Sequence, residues 1–245
     1  MRRTHLPAVV LVAAALSGAL MTGSPAVAQE ATGYLTPPQD IVDILDAPRS
    51  PQVVVSPKGD TVALLSRPAM PSIAELAEPM LRLAGYRLNP RTNGPHTAAG
   101  ITRITLKRIS DGEEQAFDAP RETSLGRVEF SPDGSRLIFT LTRYNGIEVW
   151  MMETATGAAR PLSDASINAA WGDPCDWLDE NATVVCTFKA SARGAPATAP
   201  DVPAAPNIQE HLGSAAPIRT YQDLLQNAHD EALFGDIVRE AFGQR

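Results

Sequence analysis

Cysteine and histidine are nearly missing from this chain: its 245 residues hold two of the first and four of the second. Cys175 and Cys186 form no C-x-x-C pair, and His5, His96, His211 and His229 lie far apart. The spacing of a zinc site is therefore absent, and no metal or other cofactor is expected. No serine sits in G-x-S-x-G, so the strand–elbow–helix setting of a hydrolase nucleophile is missing. Gly112, Gly134 and Gly157 read as turn glycines rather than as a phosphate-binding loop. Asp173, Asp176 and Asp179 recur at every third position without the glycine that a calcium loop needs. Positive charge is short as well: Lys and Arg total 21 against 28 Asp and Glu, a net charge of −7. No basic face is available to meet phosphates, which argues against nucleic acid as a partner. Aromatics make up only 5%, so sheets would have to be built from Val, Ile and Leu.

Long apolar runs are also scarce. One lies at the start, where Met1-Arg2-Arg3 is followed by an apolar stretch from Leu6 to Leu20 and by Ala26-Val27-Ala28. A short basic region, an apolar core and a small-x-small site make a secretory signal peptide over residues 1–28, with cleavage between Ala28 and Gln29. The alternative, an N-terminal membrane anchor, would need roughly 20 apolar residues. The mature chain is expected to be exported, periplasmic or extracellular, with no membrane attachment after cleavage.

What the chain does contain is a hairpin written twice. Ser56-Pro57-Lys58-Gly59-Asp60 and Ser131-Pro132-Asp133-Gly134-Ser135 each follow an apolar run, Val53-Val54-Val55 and Val128-Glu129-Phe130, and each precedes another. Proline presets φ at the first corner of such a turn, and glycine supplies the positive φ. A second hairpin, Ile101 to Ile109 with Glu114 to Phe117, turns at Ser110-Asp111-Gly112. Between the two hairpins lies an insertion: Ser72 to Met80 is helical in pattern and Leu81 to Pro95 irregular. The next unit has four strands, Gly126 to Phe130, Arg136 to Thr142, Gly146 to Glu153 and Ala159 to Leu162. Four strands in about 40 residues is the length of a propeller blade. The fold class read from this is all-β, a partial β-propeller of about two to three four-stranded blades, with short helical insertions and a helical C-terminal tail.

The cysteines belong to a third unit starting at Ile167. Aligned on the earlier hairpin, Asp179-Glu180-Asn181-Ala182 occupies the turn, Leu178 faces Thr183 and Cys175 faces Cys186. A cross-strand disulfide is expected in an oxidising compartment; two free buried thiols are the alternative. Asn181-Ala182-Thr183 also matches a glycosylation acceptor, though the turn accounts for it. Trp150, Trp171 and Trp177 are expected between sheets. His96, beside Gly94-Pro95, reads as an exposed loop residue, and His229, beside Asp230 and Glu231, as part of a solvated helix face. Incomplete blades are thus assigned to residues 29–189. Residues 190–218, rich in Ala and Pro, form a loop or linker, and 219–245 a helical segment leading into further blades.

Three segments carry a family resemblance. They are Pro38-Gln39-Asp40-Ile41-Val42-Asp43-Ile44-Leu45-Asp46-Ala47-Pro48, the insertion Pro71 to Ala77 with Leu83 to Leu88, and Arg219-Thr220-Tyr221-Gln222-Asp223-Leu224-Leu225. The stretch from about Tyr34 to Phe234 resembles the N-terminal part of secreted serine peptidases of the prolyl oligopeptidase family, and within it the glutamyl endopeptidase branch. The resemblance implies a propeller that caps a catalytic α/β-hydrolase domain and restricts access to peptides. It implies a Ser-Asp-His triad in that second domain; no position here matches one, so no catalytic residue is carried over and this chain is expected to be inactive alone. Peptide substrates would be met through the full-length enzyme, and a complementing catalytic domain or chain is the implied partner. The chain is accordingly expected to be the substrate-gating portion of a longer peptidase; a stand-alone exported binding module is the other reading.

Overall fold

Two apolar strands joined through Ser-Pro-x-Gly make the seed of each main sheet. In the computed structural model, which describes residues 36–96, 100–178, 183–202, 213, 225, 227–238 and 240–244, β1 (Gln52–Val55) pairs with β2 (Thr61–Ser66). At the corner, Gly59 N–H donates to Ser56 O at 2.9 Å and Thr61 N–H to Ser56 Oγ at 3.2 Å. Gly59 has φ 68° and Gly134 φ 70°, a region that a side chain disfavours. The signal segment 1–28, including Ala28 and Gln29, lies outside the described residues. Contacts divide the chain into Met1–Ile44 and Leu45–Arg245. The described part of the first unit carries most of helix α1 (Gln39–Asp46), in which Gln39 Nε2 donates to Asp43 Oδ1 at 2.7 Å.

After β2 the chain leaves the sheet. It forms the one-turn helix α2 (Ile73–Leu76), capped by Ser72 Oγ accepting from Glu75 N–H at 3.1 Å. Three short strands follow, β3 (Leu81–Leu83), β4 (Tyr86–Asn89) and β5 (Gly94–Pro95), paired in the order β3-β4-β5. This corrects the irregular reading of Leu81 to Pro95. The β3–β4 turn uses Ala84 at φ 51° and Gly85 at φ 86°, the two left-handed positions of a tight hairpin. Alanine at the first of them is no turn signal, so the hairpin is invisible in the sequence pattern.

The chain then returns to the first sheet as β6 (Arg103–Arg108) and β7 (Glu114–Asp118), completing the order β1-β2-β6-β7. The second sheet runs β8 (Ser124–Phe130), β9 (Arg136–Arg143), β10 (Gly146–Glu153) and β11 (Ala159–Pro161), each antiparallel to the next. The third contains β12 (Cys175–Leu178) and β13 (Thr183–Lys189), paired Leu178↔Thr183 and Cys175↔Cys186. Directly opposed cysteines are within bonding reach, and their sulfurs are joined across a Cα–Cα distance of 4.1 Å. Helix α3 (Ala228–Val238) and β14 (Glu240–Gln244) follow, β14 lying antiparallel on the far side of β13. Among the described residues of the tail assigned as helical over 219–245, the helix covers Ala228–Val238. Its last described residues are instead a strand, whose main-chain groups pair with β13.

Alternation along the strands stacks the sheets. Leu137, Phe139 and Leu141 of β9 pack with Ala63, Leu65, Ile104 and Leu106 of the first sheet. Ile138, between them in sequence, turns to the other face and joins Val149, Ile167, Cys175, Val184 and Cys186. The second sheet is thus buried on both faces, which explains why β9 reads as a continuous apolar run. Each large side chain so covered contributes roughly 1.5–3 kcal/mol. The two Ser-Pro-x-Gly turns lie together at one end of the stack: a Cβ built on Gly134 would be 3.5 Å from Ser56 Cβ. The start of β8 and the end of β9 are at the opposite end.

Trp150 packs among these side chains, its ring 5.9 Å from Phe117 and 6.3 Å from Phe139, and Trp177 lies against the disulfide-bearing core. Trp171 does not sit between sheets as expected. It is 49% exposed and meets Tyr86 and Phe234 edge-on at 5.0 and 5.6 Å. These two rings come from the segments between β2 and β6 and between β13 and β14, which pack on each other through Leu83, Leu88 and Ile237, with Ala170 of the β11–β12 segment in the same cluster.

Candidate functional site

The end of the stack away from the Ser-Pro-x-Gly turns carries the open space. A cleft of about 490 Å³ lies between the segment around α2 and the ends of β8 and β9. Its walls include Ser72, Glu75, Glu78, Thr92, His96, Glu122, Ser124, Thr142, Arg143 and Tyr144. His96 is half-buried rather than a free loop residue: its Nε2 lies 2.9 Å from Glu78 O. A carbonyl only accepts, so Nε2 carries the proton. Glu78 accepts from Arg91 at 2.9 Å, and the Arg91 guanidinium lies 4.5 Å over the Tyr144 ring, a cation–π contact. Arg143 donates from Nε to Glu148 Oε1 at 2.6 Å, while Glu148 Oε2 accepts from Trp150 Nε1 at 2.7 Å. Glu122 is held at φ 60°.

A smaller cavity of about 180 Å³ adjoins Arg127. The register of β8 slips between Gly126 and Val128, so Arg127, at φ 27°, is the extra residue of a bulge that re-aims its side chain. The guanidinium reaches Glu129 at 2.7 Å, Asp176 at 2.6 Å and Asp173. Burial opposes its charge, but the three carboxylates outweigh burial and raise its pKa. Asp173 and Asp176, dismissed as calcium ligands, are here ion-pair partners that tie the third sheet to the second; Asp179 lies outside the described residues.

A buried amide pair closes this end. Asn93 is 1% and Asn168 2% exposed. Asn93 Nδ2 donates to Asn168 Oδ1 at 2.6 Å, and both amides donate to Ile237 O, at 3.2 and 3.0 Å. Ile237 lies in the last turn of α3, whose carbonyls lack helical partners, so two asparagines distant in sequence cap that helix. Arg193, in the Ala/Pro-rich stretch expected as a loop or linker, donates to Asn93 Oδ1. Burial lowers the pKa of Arg193 against the attraction of Asp236, and burial followed by Arg193 lowers that of Lys189. None of these roles has a sequence signature, since each joins residues far apart in the chain.

The described residues bring together no nucleophile, base and acid. Cys175 and Cys186 are structural, and His229 is half-buried on α3; His5 and His211 are outside the described residues. Among the described residues no three His, Cys, Asp or Glu side chains are grouped to hold a metal ion, and no helix is long and apolar enough to cross a membrane.

The architecture is thus a face-to-face series of antiparallel sheets with a cleft at one end. No protein-family model matches the chain. Over 217 residues it is 32% identical to a rice (Oryza sativa subsp. japonica) protein described as "Probable glutamyl endopeptidase, chloroplastic", covering 82% of this chain and 23% of that protein. The Arabidopsis thaliana protein of the same description is 34% identical over 217 residues, 83% of this chain and 22% of that one. The chain is homologous to these plant proteins and spans less than a quarter of their length. Among solved structures, the Pyrococcus horikoshii acylaminoacyl peptidase aligns with 66% of this chain and 20% of its own, at 15% identity and a TM-score of 0.37. That overlap is too slight to carry an argument.

Proposed function

We propose that this chain is the substrate-gating propeller portion of an exported serine-type peptidase of the prolyl oligopeptidase family, its catalytic α/β-hydrolase part lying outside these 245 residues. The observation that carries this is the homology to the plant proteins, over most of this chain and under a quarter of theirs.

The sheet stack supports the reading through a positional repeat. When Ser56 is superposed on Ser131, Val53, Val55, Val62 and Leu64 correspond to Val128, Phe130, Leu137 and Phe139. The latter four pack the second sheet onto the first. Trp177, Val184 and Cys186 occupy the same positions where the third sheet packs onto the second. In the first sheet, Val53 and Val55 are exposed and Val62 and Leu64 half-covered. The outer face of the first sheet thus has the pattern with which each later sheet meets the one before it. A ring of blades supplies such a neighbour to every blade, and the gate it forms would admit extended peptides to a catalytic chamber. The signal segment fits export, with a mature N-terminus at Gln29.

The test is twofold. The purified chain is treated with a fluorophosphonate probe, and the coding sequence beyond Arg245 is read. No labelling is expected, together with further Ser-Pro-x-Gly hairpins and a G-x-S-x-G downstream. A labelled serine within this chain, or no hydrolase-coding frame downstream, overturns the proposal.

A further inference from the structure

Three aromatic rings from distant parts of the chain meet at the surface. Trp171 is 49% and Tyr86 39% exposed, and their rings stand edge to face, 5.0 Å apart at 82°. Phe234 of α3 adds a second edge-on contact to Trp171, at 5.6 Å and 77°. Leu83 and Leu88 on either side of Tyr86, Ala170 beside Trp171 and Ile237 on α3 are buried together. The segments that carry the rings are thus fixed by packing while Trp171 and Tyr86 face water. Rigid, exposed Trp and Tyr rings supply contact area with little conformational entropy left to lose.

Two further observations concern the room and the polar groups at this spot. A Cβ built on Gly172, next to Trp171, or on Gly85, next to Tyr86, would meet no atom within 4 Å. Backbone beside each ring is therefore open to close approach. Neither the Trp171 indole N–H nor the Tyr86 hydroxyl has a hydrogen-bond partner among the described residues. The carboxylate nearest to Trp171 in sequence, Asp173, is already paired with Arg127.

We propose that the Trp171–Tyr86 face binds an extended, proline-bearing peptide. Such a segment takes the polyproline II conformation, in which no carbonyl is hydrogen-bonded internally. Its proline rings pack on aromatic faces, and its carbonyls accept from the indole N–H and the phenol O–H. An ammonium group has donors only and would need acceptors or a free carboxylate, which this face does not put forward. The occupant is a separate molecule. In the chain's own Ala/Pro-rich stretch Pro196, Pro200 and Val202 are exposed, and Trp171 remains half-open. Nothing in this site depends on a catalytic domain, so it stands or falls apart from the peptidase reading.

The isotope-labelled chain is titrated and followed by NMR at its tryptophan indole signals. Trp150 Nε1 is bonded to Glu148 Oε2 and Trp177 packs in the disulfide-bearing core, so both serve as internal references. Acetyl-hexaproline-amide is expected to shift the Trp171 indole signal and the Tyr86 and Gly172 amides, with a dissociation constant at or below ~1 mM. The Trp150 and Trp177 indole signals should stay in place. The shift should persist near ~0.5 M salt, because no ion pair contributes. A Gly-Ser peptide of the same length and cellohexaose, standing for any extended chain and for a sugar, should bind at least ~10-fold more weakly. Trp171→Ala, followed at the Tyr86 amide, should weaken hexaproline binding at least ~10-fold with an unchanged circular dichroism spectrum. Trp171→Phe keeps a ring without the donor and should lie between that variant and wild type. No shift at ~10 mM hexaproline, equal binding of the Gly-Ser peptide or the sugar, or undiminished binding by the two Trp171 variants overturns the proposal. So does a Trp171 signal that responds only after Pro196 and Pro200 are replaced by serine, since the chain's own stretch would then be the occupant.

Discussion

Replacing Asn168 by leucine tests whether the buried amide pair holds the C-terminal segment to the sheets. Asn168→Leu keeps the γ-branched heavy-atom skeleton and removes three interactions. Ala170 N–H loses its acceptor at 3.1 Å, Asn93 Nδ2 loses one at 2.6 Å, and Ile237 O loses the nearer of its two amide donors. The main-chain bonds of Asn168 to Thr187 remain. Orphaning a buried N–H costs about 1–3 kcal/mol, and each weakened bond about 0.5–1.5 kcal/mol, so a total near 3 kcal/mol is expected. The cost falls on the attachment of α3, whose last turn is capped by these amides, rather than on the whole stack. Local opening should therefore become roughly a hundred times more frequent. Hydrogen exchange read by mass spectrometry on Ala228–Val238 should accelerate by that factor, while β9 and β10 exchange as before. Ser135→Ala, at the other end of the stack, serves as a control and should leave α3 unchanged. If α3 in the leucine variant exchanges at the wild-type rate, the amide pair is not what holds it, and the capping argument fails.

Three further outcomes follow from packing and charge. Removing the disulfide with Cys175→Ala and Cys186→Ala opens a loop of sequence separation 11 and should cost about 3 kcal/mol in urea denaturation by chain entropy; an unchanged midpoint would refute that. Phe139→Ala empties a fully buried site between the first two sheets and should cost about 3–5 kcal/mol; a loss below ~1 kcal/mol would mean that these sheets do not depend on that contact. Asp133 has its pKa lowered to about 2 by the Ser135 backbone N–H and the Ser131 and Ser135 hydroxyls. Its folded value lies below its unfolded one, so its stabilisation of the turn is present above about pH 4 and is lost as the pH falls toward 2. Asp133→Asn should flatten that part of the stability profile, and an identical acid slope in variant and wild type would contradict it.

Much of the sheet framework was legible in the chain because its causes are local. Proline and glycine two residues apart set the β1–β2 and β8–β9 turns, apolar alternation sets which face each residue takes, and alignment on these hairpins gives the pairing of β12 with β13. The repeat of one hairpin also pointed to sheets of one kind stacked in series. The satellite strands Leu81–Asn89 escaped notice because their turn puts an alanine where glycine or asparagine is the usual mark. Trp171 was misread because its partners, Tyr86 and Phe234, come from segments nearly 150 residues apart.

The cleft, the Arg127 ion pairs and the asparagine cap belong to tertiary structure alone. Each joins groups that are individually ordinary in sequence: a glutamate, a threonine, an asparagine before a glycine. Burial and pairing across long stretches of chain mark them out, and those arise only once distant segments come together. Backbone preference and alternation act over a few residues and so are written in the chain; the placing of one insertion against another depends on the whole packed stack.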